Sequence, residues 1–163
     1  MTLVVCMSDG TSVADWRRQG IAEREVALYR QLPCTTYLVV PDQDASVEGV
    51  TCLTNRFRLP MRLYTLLAPI VHWRTLRTCD MVRGHNGRAL ITPLLIHWLY
   101  RIPLVCRCGY LWSWDAVFRG VKPWKLWGIL LVERIAFRAA EVVSVPEDRQ
   151  AEYLRVVHHL EVA

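Results

Sequence analysis

Six short apolar runs divide the chain at intervals that helices can fill. They cover residues 3–7, 36–40, 50–53, 81–83, 104–106 and 142–145. Runs this short and this apolar are typical of parallel strands that are covered on both faces. Strands that alternate with helices favour a parallel sheet with helices on both sides and right-handed crossovers. The pattern therefore predicts an α/β fold of the doubly wound, Rossmann-like kind, with a mainly parallel sheet.

Helical patterns occupy the gaps between these runs. They are predicted over residues 13–32, 61–76, 88–101, 124–140 and 147–159. Pro33 ends the first pattern, whereas Pro69 and Pro93 lie inside the next two and either kink a helix or mark its true start. With 163 residues, 53% of them apolar, the chain is long enough for one ordinary domain and its core. We expect a single domain over residues 1–163.

The middle of the chain is strongly basic. The formal charge is +5, yet residues 49–132 contain twelve Lys and Arg against only Asp80 and Asp115. Six of the seven tryptophans fall in the same segment, at positions 73, 98, 112, 114, 124 and 127. Cations beside tryptophans suit anionic lipid headgroups or phosphorylated ligands, although a single tryptophan is more often a core residue. No recognition-helix or RNP-like pattern accompanies them, so nucleic acid is not an expected partner.

The first residues of the chain and its cysteines both bear on the cellular compartment in which we expect the protein. MTLVVCMSDG has no basic leader and an apolar run of only five residues, which predicts a first strand and a cytoplasmic protein. No apolar stretch reaches the roughly 20 residues that a spanning helix needs. The six cysteines of such a protein are expected to be reduced thiols rather than disulfides, and five of them are expected as small core residues: Cys6, Cys34, Cys52, Cys79 and Cys106. Cys106 and Cys108 form C-x-C without a second ligand pair, so no metal is expected.

Polar side chains gather where two of the predicted strands end. Arg83, His85 and Asn86 close the fourth strand, and Arg107 and Tyr110 follow the fifth. Open α/β sheets bind ligands at the carboxyl ends of their strands. A neutral imidazole at position 85 would accept a proton or bind a ligand hydroxyl, and guanidinium 107 would clamp a phosphate or carboxylate. The alternatives are a plain surface histidine and an Arg107 paired with one of three carboxylates: Asp80, Asp115 or Glu133.

The first turn, residues 8–12, is a second place where an anion would fit. Gly10 and the neighbouring hydroxyls would let backbone amides approach a phosphate at the start of the first helix. A single glycine is not a G-x-G-x-x-G fingerprint, and an ordinary turn with Ser12 as N-cap is the competing interpretation. Near the other end of the chain, His158 and His159 are expected on the surface of the last helix.

Residues 118–127, FRGVKPWKLW, interleave cations with tryptophans. On a helix at a membrane surface, the rings would lie at headgroup depth and the cations would reach the phosphates. This predicts a membrane-facing set of five residues: Arg119, Lys122, Trp124, Lys125 and Trp127. The competing interpretation is a loop that enters a core helix.

Five motifs follow one another along nearly the whole chain. They are D-G-T-S-x-x-x-W at residues 9–16, G-x-x-x-R-E-x-x-L-Y at 20–29, D-x-V-R-x-H-N at 80–86, P-L-V-x-R-x-G-Y at 103–110, and the segment 133–146 that begins E-R and ends V-S-V-P. In order and spacing they resemble the N-terminal domain of retaining GT-B glycosyltransferases of family 4. The likeness is greatest to bacterial enzymes that build surface polysaccharides.

The resemblance implies roles for several residues. In that family the N-terminal Rossmann-like domain mainly binds the acceptor, and a second domain holds the nucleotide-sugar. It implies that Gly10 lies near the donor phosphates, that His85 lies near the transferred sugar, and that Arg107 and Tyr110 line the cleft. We therefore expect His85 as the catalytic residue and Gly10, Asn86, Arg107 and Tyr110 as substrate-binding residues. The family needs no metal or other cofactor, and the nucleotide-sugar is its donor substrate.

The chain is thus expected to be the acceptor-binding half of a hexosyltransferase that acts on a saccharide or lipid-linked saccharide. Its expected place is the inner face of the plasma membrane, as a peripheral protein that contacts anionic lipid. The family's paired-glutamate motif belongs to the donor domain, which is expected to be missing, so the chain alone is expected to be inactive. Two alternatives remain: a non-catalytic binding module, truncated or completed by a partner chain, and a flavodoxin-like nucleotide-binding domain.

Overall fold

The six predicted strands lie in one sheet, and every neighbouring pair in it is parallel. A computed structural model describes residues 1–7 and 11–160 of the chain. The strands are β1 Thr2–Cys6, β2 Thr35–Val39, β3 Thr51–Leu53, β4 Met81–Gly84, β5 Leu104–Arg107 and β6 Val142–Ser144. The predicted α/β class and doubly wound, parallel sheet are confirmed.

The order of the strands across the sheet is β3-β2-β1-β4-β5-β6. This is the order found in dinucleotide-binding Rossmann folds, and it differs from the 2-1-3-4-5 order of flavodoxin-like folds. The strand order therefore gives no support to the flavodoxin alternative. The direction of chain progress reverses between β1 and β4, which makes their carboxyl ends the topological switch point.

Helices lie in the connections between the strands except the one from β2 to β3, and their bounds differ in places from the sequence patterns. They are α1 Val13–Arg18, α2 Ala22–Arg30, α3 Met61–Val71, α4 Trp73–Leu76, α5 Ile91–Tyr100, α6 Trp112–Phe118, α7 Pro123–Ala139 and α8 Asp148–Tyr153, with a π-helical turn at Leu154–His158. The pattern over residues 13–32 gives two helices because Gly20 has a φ of 68°, which a right-handed helix cannot contain. The pattern over 61–76 is likewise divided, at His72. Helix α6 is not predicted, because its seven residues are too few to show a helical period.

Pro69 lies inside α3 without ending it. Proline has no N–H, so the carbonyl of Thr65, four residues earlier, loses its helical donor. The Thr92 hydroxyl of α5 donates to that carbonyl at 2.8 Å, and the Tyr100 hydroxyl donates to the Pro69 carbonyl at 2.8 Å. These two bonds hold α3 and α5 side by side. Pro93, by contrast, falls in the first turn of α5, where helical N–H groups have no partner in any case.

Alternate residues of the strands point to opposite faces of the sheet and pack in two separate hydrophobic cores. Val4 of β1 packs in a core formed with α3, α5 and α7. Its neighbours Leu3 and Val5 pack on the opposite face of the sheet, with Trp16 of α1 and Val26 of α2. We call these the α3 face and the α1 face of the sheet.

The prediction that His158 lies on the surface is wrong. The side chain is 1% exposed, and its Nε2 lies 3.2 Å from Oε2 of the fully buried Glu133. The other oxygen of Glu133 accepts a hydrogen bond from the Ser113 N–H at 2.9 Å. His158 also packs edge-on against Phe137. The last turn is thus fixed to α7 rather than frayed, whereas His159 is exposed as predicted.

Candidate functional site

His85 and Arg107 stand at the same level on neighbouring strands. The register of β4 and β5 pairs Gly84 with Cys106, so the residues that follow each of these meet at the carboxyl edge. The backbone N–H of His85 donates to the Cys6 carbonyl at 2.9 Å, which holds the histidine beside the end of β1. This is the switch point between β1 and β4, the crevice in which open α/β sheets bind ligands.

The His85 ring is surrounded by aromatic and cationic groups. It packs on Trp16, with ring centres 4.9 Å apart, and its Nδ1 lies 3.3 Å from the Tyr29 hydroxyl. Burial lowers the pKa of His85 to about 4, and the guanidinium groups of Arg83 and Arg107 contribute to this lowering. The carboxylate of Glu25 in α2 acts in the opposite direction. The imidazole is therefore neutral at pH 7, so one of its nitrogens can donate a hydrogen bond and the other can accept one.

Arg83 belongs to the same edge, although the sequence prediction did not include it among the substrate-binding residues. It lies two residues before His85 on β4, so both side chains point to the α1 face. Its guanidinium carbon is 5.6 Å from the centre of the Tyr29 ring, and its Nε is buried without a hydrogen-bond partner among the described residues. The spacing of two residues between Arg83 and His85 is the sequence signal that places both side chains on one face of the sheet. Arg83, His85 and Arg107 are called the rim below.

The three carboxylates considered as partners for Arg107 are all engaged elsewhere. Asp80 accepts a hydrogen bond from the Thr2 N–H at 2.7 Å. Asp115 pairs with Arg88 at 2.6 Å and with Arg119 at 2.8 Å. The third, Glu133, is the carboxylate paired with His158. Among the described residues Arg107 forms no ion pair, and its side chain is exposed.

Asn86 and Tyr110 lie in two loops that touch. The Asn86 side-chain oxygen accepts a hydrogen bond from the Arg88 N–H at 3.1 Å and so helps to close the loop after β4. Gly87 in that loop is pressed against the other one, because a Cβ there would lie 2.3 Å from the Tyr110 carbonyl oxygen. Tyr110 is 36% exposed, and burial raises the pKa of its hydroxyl. Both residues border the rim, and Asn86 has a structural use as well.

The first turn is only partly described. Gly10, the predicted phosphate-approach residue, lies outside the described residues. Ser12 caps α1 as predicted: its hydroxyl accepts from the Asp15 N–H at 3.0 Å, and the Asp15 carboxylate accepts from the Ser12 N–H at 2.9 Å. Asp42, after β2, also accepts from the Val13 N–H at 2.9 Å. A carboxylate thus already uses a helix N–H that a phosphate at this terminus would bind.

The predicted membrane-facing residues lie around the start of α7. Trp124 and Trp127 are each 68% exposed, and the Lys125 ammonium lies 5.3 Å from the centre of the Trp124 ring. Lys122 is exposed just before Pro123, the first residue of the helix. These residues, with Leu131 one turn further on, form what we call the α7 surface. Arg119 differs from the others because its charge is paired with Asp115.

Most tryptophans of the basic segment are on the surface, not in the core. Trp73 is 42% exposed and Trp98 54% exposed, in addition to the two of α7. The expectation that any one of them is a core residue is therefore wrong for four of the six, while Trp112 and Trp114 are half-buried. Trp16, outside the basic segment, is the tryptophan that fills a core, with 2% exposure.

The described residues contain no group of three or more His, Cys, Asp or Glu side chains placed to hold a metal ion. Within the same residues, no helix combines the length and the apolar character needed to cross a bilayer. The six cysteines are free. Cys6, Cys79, Cys106 and Cys108 are buried, whereas Cys34 and Cys52, also expected in the core, are half-buried.

Comparison with known proteins found no matching family model and no curated protein of significant similarity.

Proposed function

We propose that this chain forms the acceptor-binding side of a glycosyltransferase that moves a hexose from a nucleotide-sugar to a saccharide or lipid-linked saccharide. Surface-polysaccharide synthesis is the process that the sequence resemblance suggests. The rim is the observation that carries the proposal, because it brings His85 and Arg107 together at the switch point of the sheet. Those two residues belong to separate motifs of the resemblance, 22 positions apart in the sequence.

His85 would bind the reacting sugar as a neutral hydrogen-bonding group. The Tyr29 hydroxyl lies 3.3 Å from Nδ1; when it donates to Nδ1, the ring proton lies on Nε2, which can then donate to a sugar hydroxyl. The pKa of about 4 means that the His85 ring carries no charge at pH 7 and does not attract anions. A neutral hydrogen-bond donor of this kind suits a sugar hydroxyl. Tyr29 is on this account a positioning residue that selects the tautomer.

Arg107 and Tyr110 would hold the acceptor. Arg107 is exposed and carries an unpaired charge among the described residues, and its planar fork suits a phosphate or carboxylate on the acceptor. The nucleotide-sugar would be held by a donor-binding domain that faces the rim. Departure of the diphosphate needs positive or N–H groups around it, and most of these would come from that donor-binding domain.

The chain would act at the inner face of the plasma membrane as a peripheral protein. Exposed tryptophans beside lysines, as on the α7 surface, are the groups that interfacial helices use to bind anionic lipid. A lipid-linked acceptor would then be concentrated in the plane in which the chain is bound.

Sedimentation with vesicles tests the acceptor assignment. Phosphatidylcholine vesicles would carry polyprenyl diphosphate either bare or linked to a saccharide. We expect the saccharide to increase the bound fraction, and His85→Ala and Arg107→Gln to remove that increase. Arg155→Gln, an exposed arginine on the last helical turn, should keep it. Equal binding to both vesicles would contradict the proposal.

A non-catalytic binding module would give the same result in that assay. The two classes differ when a donor-binding chain that carries the paired-glutamate motif is added together with a labelled nucleotide-sugar. Transfer of label that depends on His85 indicates the enzyme, and saccharide binding without transfer indicates the binding module.

A further inference from the structure

A cavity away from the rim lies between β3 and the junction of α3 with α4. Its volume is about 600 Å³, and it is lined on one side by Thr54 and Arg56 and on the other by His72, Trp73 and Arg74. None of these residues has a role in the proposed transferase.

The cavity is cationic. Arg56 and Arg74 form no ion pair among the described residues, and residues 49–79 contain five arginines and no Asp or Glu. Burial, reinforced by the charge of Arg56, lowers the pKa of His72 to about 4, so the imidazole is neutral at pH 7. The positive charge of the cavity therefore comes from guanidinium groups, which prefer phosphate and carboxylate.

An exposed apolar stripe runs along α3 to the cavity. Leu63 is 43% exposed, Leu66 52%, Ile70 59% and Trp73 42%. Steps of three and four residues place Leu63, Leu66 and Ile70 on one side of α3, and Trp73 follows as the first residue of α4. Trp73 belongs to both the stripe and the cavity, and the guanidinium carbons of Arg74 and Arg77 lie 5.7 and 4.5 Å from its ring centre. Contiguous exposed apolar surface rimmed by polar groups marks an interaction site.

Helix α5 widens this surface. Trp98 and Leu99 are 54% and 56% exposed, and they precede Tyr100, whose hydroxyl bonds to the Pro69 carbonyl of α3. The last turn of α5 therefore lies beside the second half of α3. Helices α3, α4 and α5 contain no Asp or Glu, so nothing on them would repel an anionic surface.

We propose that the cavity binds the phosphate headgroup of an anionic lipid while the apolar stripe enters the boundary between headgroups and acyl chains. A small free phosphate compound would use the arginines and leave the stripe in water. A lipid uses both features together, because its phosphate and its apolar chains are adjacent. Helices α3 to α5 would then form a second membrane contact, distinct from the α7 surface. This inference does not depend on the transferase assignment.

Vesicle sedimentation with matched variants tests the proposal. We expect the full chain to bind phosphatidylcholine vesicles only when they contain phosphatidylglycerol. The double variant Arg56→Gln with Arg74→Gln should lower the partition constant roughly thirtyfold, since each cation near an anionic surface contributes on the order of 1 kcal/mol. Ile70→Glu should separately weaken binding, because it puts an anionic group where the apolar stripe would meet the lipid. The replaced side chains are exposed, and circular dichroism checks that the variants fold.

Helix α2 supplies the controls, because it lies on the opposite face of the sheet. Leu28→Glu, at a residue 48% exposed, matches Ile70→Glu. Arg24→Gln together with Arg18→Gln of the neighbouring α1 removes two exposed charges, as the double variant does. Both controls should leave binding intact. Binding that survives both α3-side changes would overturn the proposal even if Lys122→Glu with Lys125→Glu abolishes it. Calorimetric binding of glycerol phosphate without vesicle binding would overturn the lipid as the source of the phosphate.

Discussion

His85 is the residue whose surroundings constrain its chemistry most. Its ring is placed between an indole, a phenol hydroxyl and two guanidinium groups. Burial of the ring favours its neutral form most, the two guanidinium charges reinforce this, and the Glu25 carboxylate opposes it. A histidine in such a place is a hydrogen-bonding group at pH 7 rather than a cation.

Acid should destabilise the fold through His85 and His72. Both have a pKa of about 4 in the folded chain, against a reference value of 6.5. Between these values the unfolded chain binds protons that the folded chain excludes, so the free energy of unfolding falls as the pH drops from 6.5 to 4. Urea titrations at pH 7 and pH 5 should show a loss of roughly 1–3 kcal/mol per histidine.

His85→Gln should lose less stability over the same pH interval, because one of the two excluded protons is gone. His159→Gln, at an exposed histidine, is the control and should follow the unmodified chain. An identical loss in all three proteins would show that His85 is not held neutral by the fold.

Gly87 fixes the contact between the two loops that border the rim. Gly87→Ala would put a Cβ 2.3 Å from the Tyr110 carbonyl oxygen and 2.9 Å from the Trp112 nitrogen. Backbone on both sides has to move, so we expect a loss of roughly 1–3 kcal/mol in chemical unfolding. Gly109→Ala, where a Cβ meets nothing within 4 Å, should change stability little. Equal effects of the two changes would contradict the close packing of these loops.

The pairing of α3 with α5 depends on a carbonyl that proline leaves without a donor. Thr92→Val removes the hydroxyl that donates to the Thr65 carbonyl at 2.8 Å, and Pro69 cannot replace it. Because Thr92 is 8% exposed, an unsatisfied buried carbonyl should destabilise the fold by roughly 1–3 kcal/mol. Thr78→Val, which removes an exposed bond to the Thr75 carbonyl, should have a much smaller effect in the same thermal or urea measurement.

The elements differ in how far sequence alone predicts them. The predicted bounds of each strand agree with the structure to within one residue at either end. A short apolar run between turn residues is too short for a typical helix, so a buried strand is the structure it favours. The break at Gly20 was missed, since one glycine in a helical pattern is compatible with a continuous helix until its φ of 68° is known.

Contacts between distant residues explain the remaining misses. His158 is buried against Glu133, 25 positions earlier, and Asp42 caps α1 from 29 positions away. Neither partner can be inferred from the local pattern around the residue it meets. The rim was predictable in part, since strand ends share an edge in a parallel sheet, but the unpartnered Nε of Arg83 depends on its three-dimensional surroundings.

On the scale of the whole molecule, the two candidate membrane contacts lie on the same side of the sheet, the α3 face. There the α7 surface and the stripe on α3 lie outside the same core. The rim, in contrast, opens on the α1 face at the carboxyl edge. A chain bound through the α3 face would thus keep the rim clear of the bilayer and accessible to an acceptor.

The α7 surface should bind anionic vesicles in a salt-dependent way. Lys122→Glu with Lys125→Glu reverses its charge and should weaken binding in sedimentation assays, as should added salt, because exposed charges are screened. Arg24→Glu with Arg155→Glu makes the same change in net charge at exposed sites elsewhere and should have a smaller effect. Binding that does not change with salt, or no binding at all, would contradict the assignment of the α7 surface as a membrane contact.

The most direct measurement is an amide chemical-shift titration of the labelled chain with a soluble oligosaccharide and, separately, with a nucleotide-sugar. If the rim is an acceptor site, the oligosaccharide should shift amides of residues 84–86 and 107–110, and Arg107→Gln should weaken those shifts, while the nucleotide-sugar has little effect on its own. Shifts from the nucleotide-sugar at the start of α1, with none from the oligosaccharide at the rim, would contradict the account.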